Sequence, residues 1–140
     1  MIPVVSFCRI ESFSSAHRLH SVHLTNEENA ATYGKCNGVN FHGHNYKVIV
    51  SVKGPIDGKN GMVYNLSFLK EHLKTVLEQL DHKNIDLDVP YFQSIPSTCE
   101  NICVFIYNEV KSMLPSFLTS LKVKLYETDK NFAVYKGEYI

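Results

Sequence analysis

The sequence predicts an α+β protein: an antiparallel sheet with helices grouped on one face. Three observations carry the prediction. Apolar and polar residues alternate along 41–53 and 121–125, the two-residue period of a half-buried strand. Between them, 65–80 and 97–114 space their apolar residues as amphipathic helices do. Turn-forming runs such as "GPIDGKNG" and "ETDKN" close the alternating stretches. Strands paired as hairpins, with the helices grouped between them, are the mark of this class.

Taken in order, residues 4–16 are β-branched and aromatic and predict a first strand, with a bulge expected near Glu11 and Ser12. Residues 20–40 are rich in Asn, Glu, Thr and Gly. A connection of that length inside a compact domain is usually functional, and one helical turn is expected around Asn26–Thr32. From Phe41 to Lys53, His42, His44, Tyr46, Val48, Val50 and Val52 share one face, and Lys47, Ser51 and Lys53 take the other. Leu66, Leu69, Leu73, Val76, Leu77 and Leu80 form the stripe of a first helix capped by Asn65. Ile102, Phe105, Ile106, Val110, Met113 and Leu114 form a second, with Ser97 and Glu100 as a capping box and Pro115 as its stop. Leu121, Val123 and Leu125 then alternate with Lys122 and Lys124, and a last strand is expected over 132–139.

The 140 residues fit one domain spanning 1–140, without repeats, low-complexity tracts or linkers. Apolar residues make up 44% and charged residues 20%, as in soluble globular proteins. Lys+Arg and Asp+Glu balance at 14 each, which argues against a nucleic-acid partner, because a phosphate backbone selects a basic surplus. "MIPVVSFCRI" reads as a strand rather than a leader, and no apolar run nears the roughly 18 residues of a membrane helix. The expectation is a cytoplasmic protein with no membrane partner and with its four cysteines reduced.

Within "GKCNGVNFHGHNY", His42 and His44 stand at i and i+2 of a strand, so their imidazoles point the same way and can share one metal ion. Of the histidines in "SAHRLHSVH", His17 is the best third ligand, being still attached to strand geometry, while His20 and His23 read as loop residues facing water. Three histidines and no evident fourth protein ligand describe a catalytic zinc site with an open position. Cys36 either closes that site as a fourth ligand or acts beside it as base or nucleophile, with Lys35 as a positive neighbour. Cys8 and Cys103 sit in apolar sequence and read as core.

In "LDHKNID", Asp81 followed by His82 either forms a proton relay or ends a helix in solvent. Glu127 continues the parity of Leu121, Val123 and Leu125, so its charge falls on the apolar face of its strand. It either sits at the rim or receives a ligand, since an unpaired buried charge is costly. A carboxylate there can accept two parallel hydrogen bonds from an amidine-like edge, such as that of guanine or a pterin.

"FSSAHRL", "GKCN" followed after an interval by "HGHNYKV", "LDHKN", "DVPYF", "TCEN" and "YETDKN" occur in this order along the chain. In this the sequence strongly resembles the 6-pyruvoyltetrahydropterin synthase family, from about residue 7 to residue 138. The resemblance implies the T-fold, a four-stranded antiparallel sheet with two helices on one face. It further implies subunits joined edge to edge into a barrel, in a homohexamer made as a dimer of trimers. It makes His17, His42 and His44 the ligands of one zinc ion per subunit, Cys36 the general base, Asp81 with His82 the relay, and Glu127 the pterin anchor. Thr98 and Glu100 fall in the family's second pterin-contacting segment.

The implied substrate is 7,8-dihydroneopterin 3′-triphosphate. The implied reaction is zinc-dependent formation of 6-pyruvoyltetrahydropterin with loss of triphosphate, a carbon–oxygen lyase step of tetrahydrobiopterin biosynthesis. Magnesium accompanies the family's activity, with no ligand assigned here. Five residues separate Cys36 from His42, which favours this family over the related 6-carboxytetrahydropterin synthases, where three usually intervene. A non-catalytic zinc- or pterin-binding protein is the alternative from another class. Two departures flank the site: Phe41 where relatives often carry glycine, and Cys99 where the segment usually reads Thr-Thr-Glu.

Overall fold

The computed structural model describes all 140 residues. Strands β1 (Val4–His17) and β2 (His42–Pro55) pair antiparallel without a skipped residue, from Val4 opposite Pro55 to His17 opposite His42. The bulge expected near Glu11 and Ser12 is absent; these residues pair with Val48 and Lys47. Glu11 instead meets Arg9 along the same strand face, Nε donating to its carboxylate at 2.8 Å, so its charge is satisfied without the strand being re-aimed.

After β1, a capping box at Thr25 and Glu28 opens α1 (Asn26–Tyr33), longer than the single turn expected. A 3₁₀ turn (Gly34–Asn37) follows and leads into β2. Buried Asn29 organises the connection: its carbonyl accepts from the Ser21 N–H and its amide donates to the Ser21 and Thr25 carbonyls.

Helix α2 (Leu66–Glu78) begins where Asn65 accepts from the Ser67 N–H. Its Leu69, Leu73, Val76 and Leu77 are buried as the spacing predicts, and so is Leu80 just beyond its end, while Leu66 is exposed. His82 then takes a left-handed φ of 59°, a region histidine enters more readily than most side chains. The turn brings β3 (Lys83–Asn84) alongside Ser15 and Ala16 of β1 in parallel. Short α3 (Ile85–Asp88) and a 3₁₀ turn (Pro90–Gln93) complete the link to α4 (Cys99–Lys111). Thr98, not Ser97, caps α4, its hydroxyl accepting from the Asn101 N–H. Ser97 is fully buried, its hydroxyl turned away from the helix start to donate to Asp86 at 2.8 Å, and the cap falls one residue later. Glu100 lies exposed in the first turn, where its charge complements the helix dipole.

Strand β4 (Ser120–Tyr126) pairs with β2, and β5 (Phe132–Tyr135) with β4. The order across the sheet is β3-β1-β2-β4-β5. The sheet is thus five-stranded rather than four-stranded, the extra member being two residues at the β1 edge, too short to leave a periodic trace. β5 ends at Tyr135, earlier than expected, shortly before the left-handed Gly137.

One core joins the inward residues Phe13, Tyr46, Val48, Val50, Val52, Leu121, Val123 and Leu125 to the stripes of α2 and α4. Cys103 is buried there, whereas Cys8, read as core, is exposed on the outward face with its thiol 3.0 Å from the Ser51 hydroxyl. The first half of β1 is uncovered, with Val4, Val5, Phe7 and Ile10 exposed. No helix is long and apolar enough to cross a membrane.

Candidate metal centre

His17 ends β1, His42 begins β2 opposite it, and His44 lies two residues further on the same face. All three continue the core parity to the end of the sheet, where α4 starts. Their ring centroids are 4.6, 5.0 and 5.1 Å apart and the planes are steeply inclined to one another. One nitrogen from each ring lies within 4.8 Å of the other two. Tetrahedral ligation at about 2.0–2.1 Å sets nitrogens roughly 3.4 Å apart, so the less buried His42 and His44 rings would have to close in on His17 to hold an ion.

The surroundings of His17 test whether such an ion belongs there. Its Nδ1 stands 2.7 Å from the Ser97 carbonyl. A carbonyl only accepts, so Nδ1 carries the proton and Nε2 presents a lone pair. That Nε2 is buried without a hydrogen-bond partner, a costly arrangement for an empty acceptor and the expected one for a ligand whose other nitrogen is held by an orienting carbonyl. Burial is the main cause lowering the pKa of both His17 and His44, which favours the neutral imidazole that metal binding requires. The donor set fits zinc with a fourth position open.

Glu127, just past β4, sets its two carboxylate oxygens 3.8 Å from His17 Nε2 and 3.9 Å from His44 Nε2. These distances exceed hydrogen bonding but place an anion beside the lone pairs. Parity put Glu127 on this face; its turn toward the histidines is new. Cys36 is half-buried and stands outside the histidine cluster. Its turn is laced to the exit of β1: the Leu19 N–H donates to the Cys36 carbonyl at 2.9 Å, and Arg18 Nε donates to the Asn37 carbonyl at 2.8 Å. The Asn37 amide donates to the Leu19 carbonyl at 2.7 Å.

Asp81 and His82 form a bonded pair, with Nδ1 2.9 Å from a carboxylate oxygen. The Ser14 N–H, donating to the other oxygen at 2.9 Å, is the chief cause holding Asp81 below the usual carboxylate range. The His82 side chain is 85% exposed. With Ser14, Ala16, Gly43, Asn45 and His44 of the cluster it lines an open cleft on the outward face of β1 and β2, and its imidazole bonds to Asp81 rather than to a cluster histidine. Gly43 forms part of this cleft. Thr98 has its hydroxyl engaged as the α4 cap, and Glu100 points no hydrogen bond at the cluster.

Several residues around the site have surroundings that the sequence does not show. Ser97 looked like a cap and is the carbonyl that orients His17. Parity places Tyr46 on the face of His42 and His44; its ring borders His44 and His17, and burial raises the pKa of its unpartnered hydroxyl well above the ordinary phenol value. Cys99 is a half-buried thiol whose pKa is pushed up to about 12, chiefly by burial and then by Glu127, which favours the neutral thiol. Phe41 adopts φ 66°, a left-handed region that glycine enters without steric cost. We expect Phe41→Val to cost about 1–2 kcal/mol in urea unfolding, β-branched residues tolerating that region least. Phe41→Gly should stay within about 1 kcal/mol of the parent, because strain relief is offset by glycine's extra chain entropy.

A family model described as 6-pyruvoyl tetrahydropterin synthase matches residues 7–138. A human protein named 6-pyruvoyl tetrahydrobiopterin synthase is 52% identical over 128 residues, covering 91% of this chain and 88% of that protein. A Drosophila melanogaster protein of the same name is 47% identical over 138 residues, covering 98% and 82%. The solved structure of Caenorhabditis elegans 6-pyruvoyl tetrahydropterin synthase superposes with a TM-score of 0.93 at 45% identity, covering 98% of both chains. A histidine cluster at the end of this sheet, within a chain so similar along nearly its whole length to these proteins, leaves one conclusion: the chain belongs to the 6-pyruvoyl tetrahydropterin synthase family.

Proposed function

We propose that the protein converts 7,8-dihydroneopterin 3′-triphosphate to 6-pyruvoyltetrahydropterin with release of inorganic triphosphate, in the cytoplasm. The observation that carries this reading is the buried, unpartnered Nε2 of His17 converging with His42 and His44, in a chain 52% identical to a human protein named for that synthesis. His17, His42 and His44 would hold one zinc ion per subunit; when bound, it supplies a Lewis acid that acidifies side-chain hydroxyls of the substrate and steadies developing negative charge.

The remaining work falls to the chain itself. Cys36, as thiolate, withdraws a proton from the substrate's side-chain carbon. His82 gives or takes protons at Nε2, because its Nδ1 is tied to Asp81. Loss of triphosphate and tautomerisation then give the diketone, the ring being reduced at the side chain's expense, so no external redox cofactor is required. Glu127 receives the pterin ring through two N–H donors. That donor edge lies at the opposite end of the bicycle from the reacting side chain, so anchoring requires the carboxylate to swing away from the histidines it now faces. Thr98 and Glu100 border the ring at the start of α4, Glu100 with its carboxylate uncommitted.

Since His82 opens onto the outward face of the sheet, we assign it to the site of a neighbouring subunit in a homohexamer, a dimer of trimers. The exposed Val4, Val5, Phe7 and Ile10 on an open strand edge support such closure into a barrel. Incubation of the purified protein with dihydroneopterin triphosphate should yield 6-pyruvoyltetrahydropterin and triphosphate by chromatography. Acetaldehyde or a 6-carboxy pterin as the main product would make it a 6-carboxytetrahydropterin synthase. Zinc and pterin binding without turnover would make it a non-catalytic binding protein.

A further inference from the structure

One carboxylate, Asp86 on α3, holds the residues on both sides of His17. Its Oδ2 accepts from the Arg18 N–H at 2.7 Å, pinning the backbone immediately after His17. Its Oδ1 accepts from the Ser97 hydroxyl at 2.8 Å, pinning the residue whose carbonyl takes the His17 Nδ1–H. The same clamp reaches Cys36, because Arg18 and Leu19 carry the hydrogen bonds that fix the 36–37 turn. These links span 68, 11 and 80 residues of sequence separation; besides Asp86, the Ser97 hydroxyl reaches the Arg18 carbonyl only at 3.3 Å, the longer and weaker of its two contacts.

From this geometry we propose that Asp86 is a positioning residue, which sets the aim of His17 and the place of Cys36 relative to it. The proposal rests on reading His17, His42 and His44 as a zinc site. Asp86 touches neither metal nor substrate; it acts through Ser97 and Arg18. The isosteric Asp86→Asn variant turns an NH₂ toward one of the two donors and breaks one arm of the clamp, without altering volume. Asp88 is the internal control: two residues on in α3, its carboxylate accepts only the Asn84 N–H at 2.8 Å and touches no residue of the site.

The test titrates the metal-free full chain with zinc, by calorimetry or against a competing chelator. Asp86→Asn should bind zinc 10–100-fold more weakly than the parent, the usual range when an outer hydrogen-bond partner is lost. Asp88→Asn should bind as the parent does. At saturating zinc, the remaining defect of Asp86→Asn should lie in kcat with KM unchanged, since the Cys36 turn is displaced. Ser97→Ala, which keeps the carbonyl and removes one arm, should show a smaller loss of zinc affinity.

Parent-like zinc affinity in Asp86→Asn overturns the proposal, as does an equal loss in Asp88→Asn, which would mean that α3 is merely loosened. Should Asp86→Asn fail to fold, Ser97→Ala decides alone, and parent-like affinity there overturns the proposal. A parent protein that takes up no zinc overturns the metal reading and this inference together, whereas zinc uptake by the parent with unchanged variants overturns this inference only.

Discussion

Alanine at His17 is expected to lower zinc affinity by more than about 100-fold, beyond the 10–100-fold typical of losing only an outer partner, and to abolish turnover with it. It should also destabilise the metal-free protein. The ring is fully buried, and removing it leaves the Ser97 carbonyl without its donor, a loss of about 1–3 kcal/mol to which the new void adds. His42→Ala should lose zinc equally, yet change apo stability by under about 1 kcal/mol, because that side chain is less buried and makes no protein hydrogen bond. Metal analysis of the purified variants and urea unfolding of their chelated forms separate the two contributions. A His17→Ala protein that still carries about one zinc per chain would remove the basis of the metal centre.

Replacing Cys36 by alanine should leave zinc content and thermal stability at parent values while kcat falls about 10²–10⁴-fold, the range for loss of a positioned general base. The structural reason is specific. Every hydrogen bond that fixes the 36–37 turn runs through backbone atoms or through Arg18, Leu19 and Asn37, so truncating the thiol leaves the turn in place. The thiol is also not part of the histidine cluster. Loss of zinc from Cys36→Ala with undiminished pterin binding would mean instead that the sulfur closes a structural site.

What could be read in advance was what depends on short periods. Two-residue parity put His42, His44 and Tyr46 on the core face and Glu127 on the same side of β4, and all four are found there. Helical spacing located α2 to within two residues at each end and the start of α4 as closely, while α4 ends at Lys111, three residues before the Leu114 expected. The remainder depends on contacts between distant segments. β3 and α3 are too short for any period, and each exists because α2's exit runs along β1. Ser97 has the composition of a cap, but its hydroxyl is turned to donate to Asp86 on another element, and Thr98 accepts from the helix N–H instead. The facing of Glu127 toward His17 and His44 likewise depends on β1 and β4 being placed on either side of β2, which no single stretch encodes. Phe41 could be marked as unusual by comparison with the family, yet the left-handed backbone that makes it so is visible only in three dimensions.

The unbroken pairing of β1 with β2 has a further meaning. His17 and His42 occupy the last rung of a ladder that begins at Val4 and Pro55, so the two imidazoles are a gauge of its alignment. A slip of one residue anywhere along it would turn the core residues of one strand outward, Phe13 of β1 or Val48 and Val50 of β2, and, at the far end, carry a histidine off the shared face. Only the chain that has counted its rungs correctly can close three nitrogens around an ion. Metal capture would then act as a proofreading step, adding its binding energy selectively to the correctly aligned hairpin and to none of its shifted competitors.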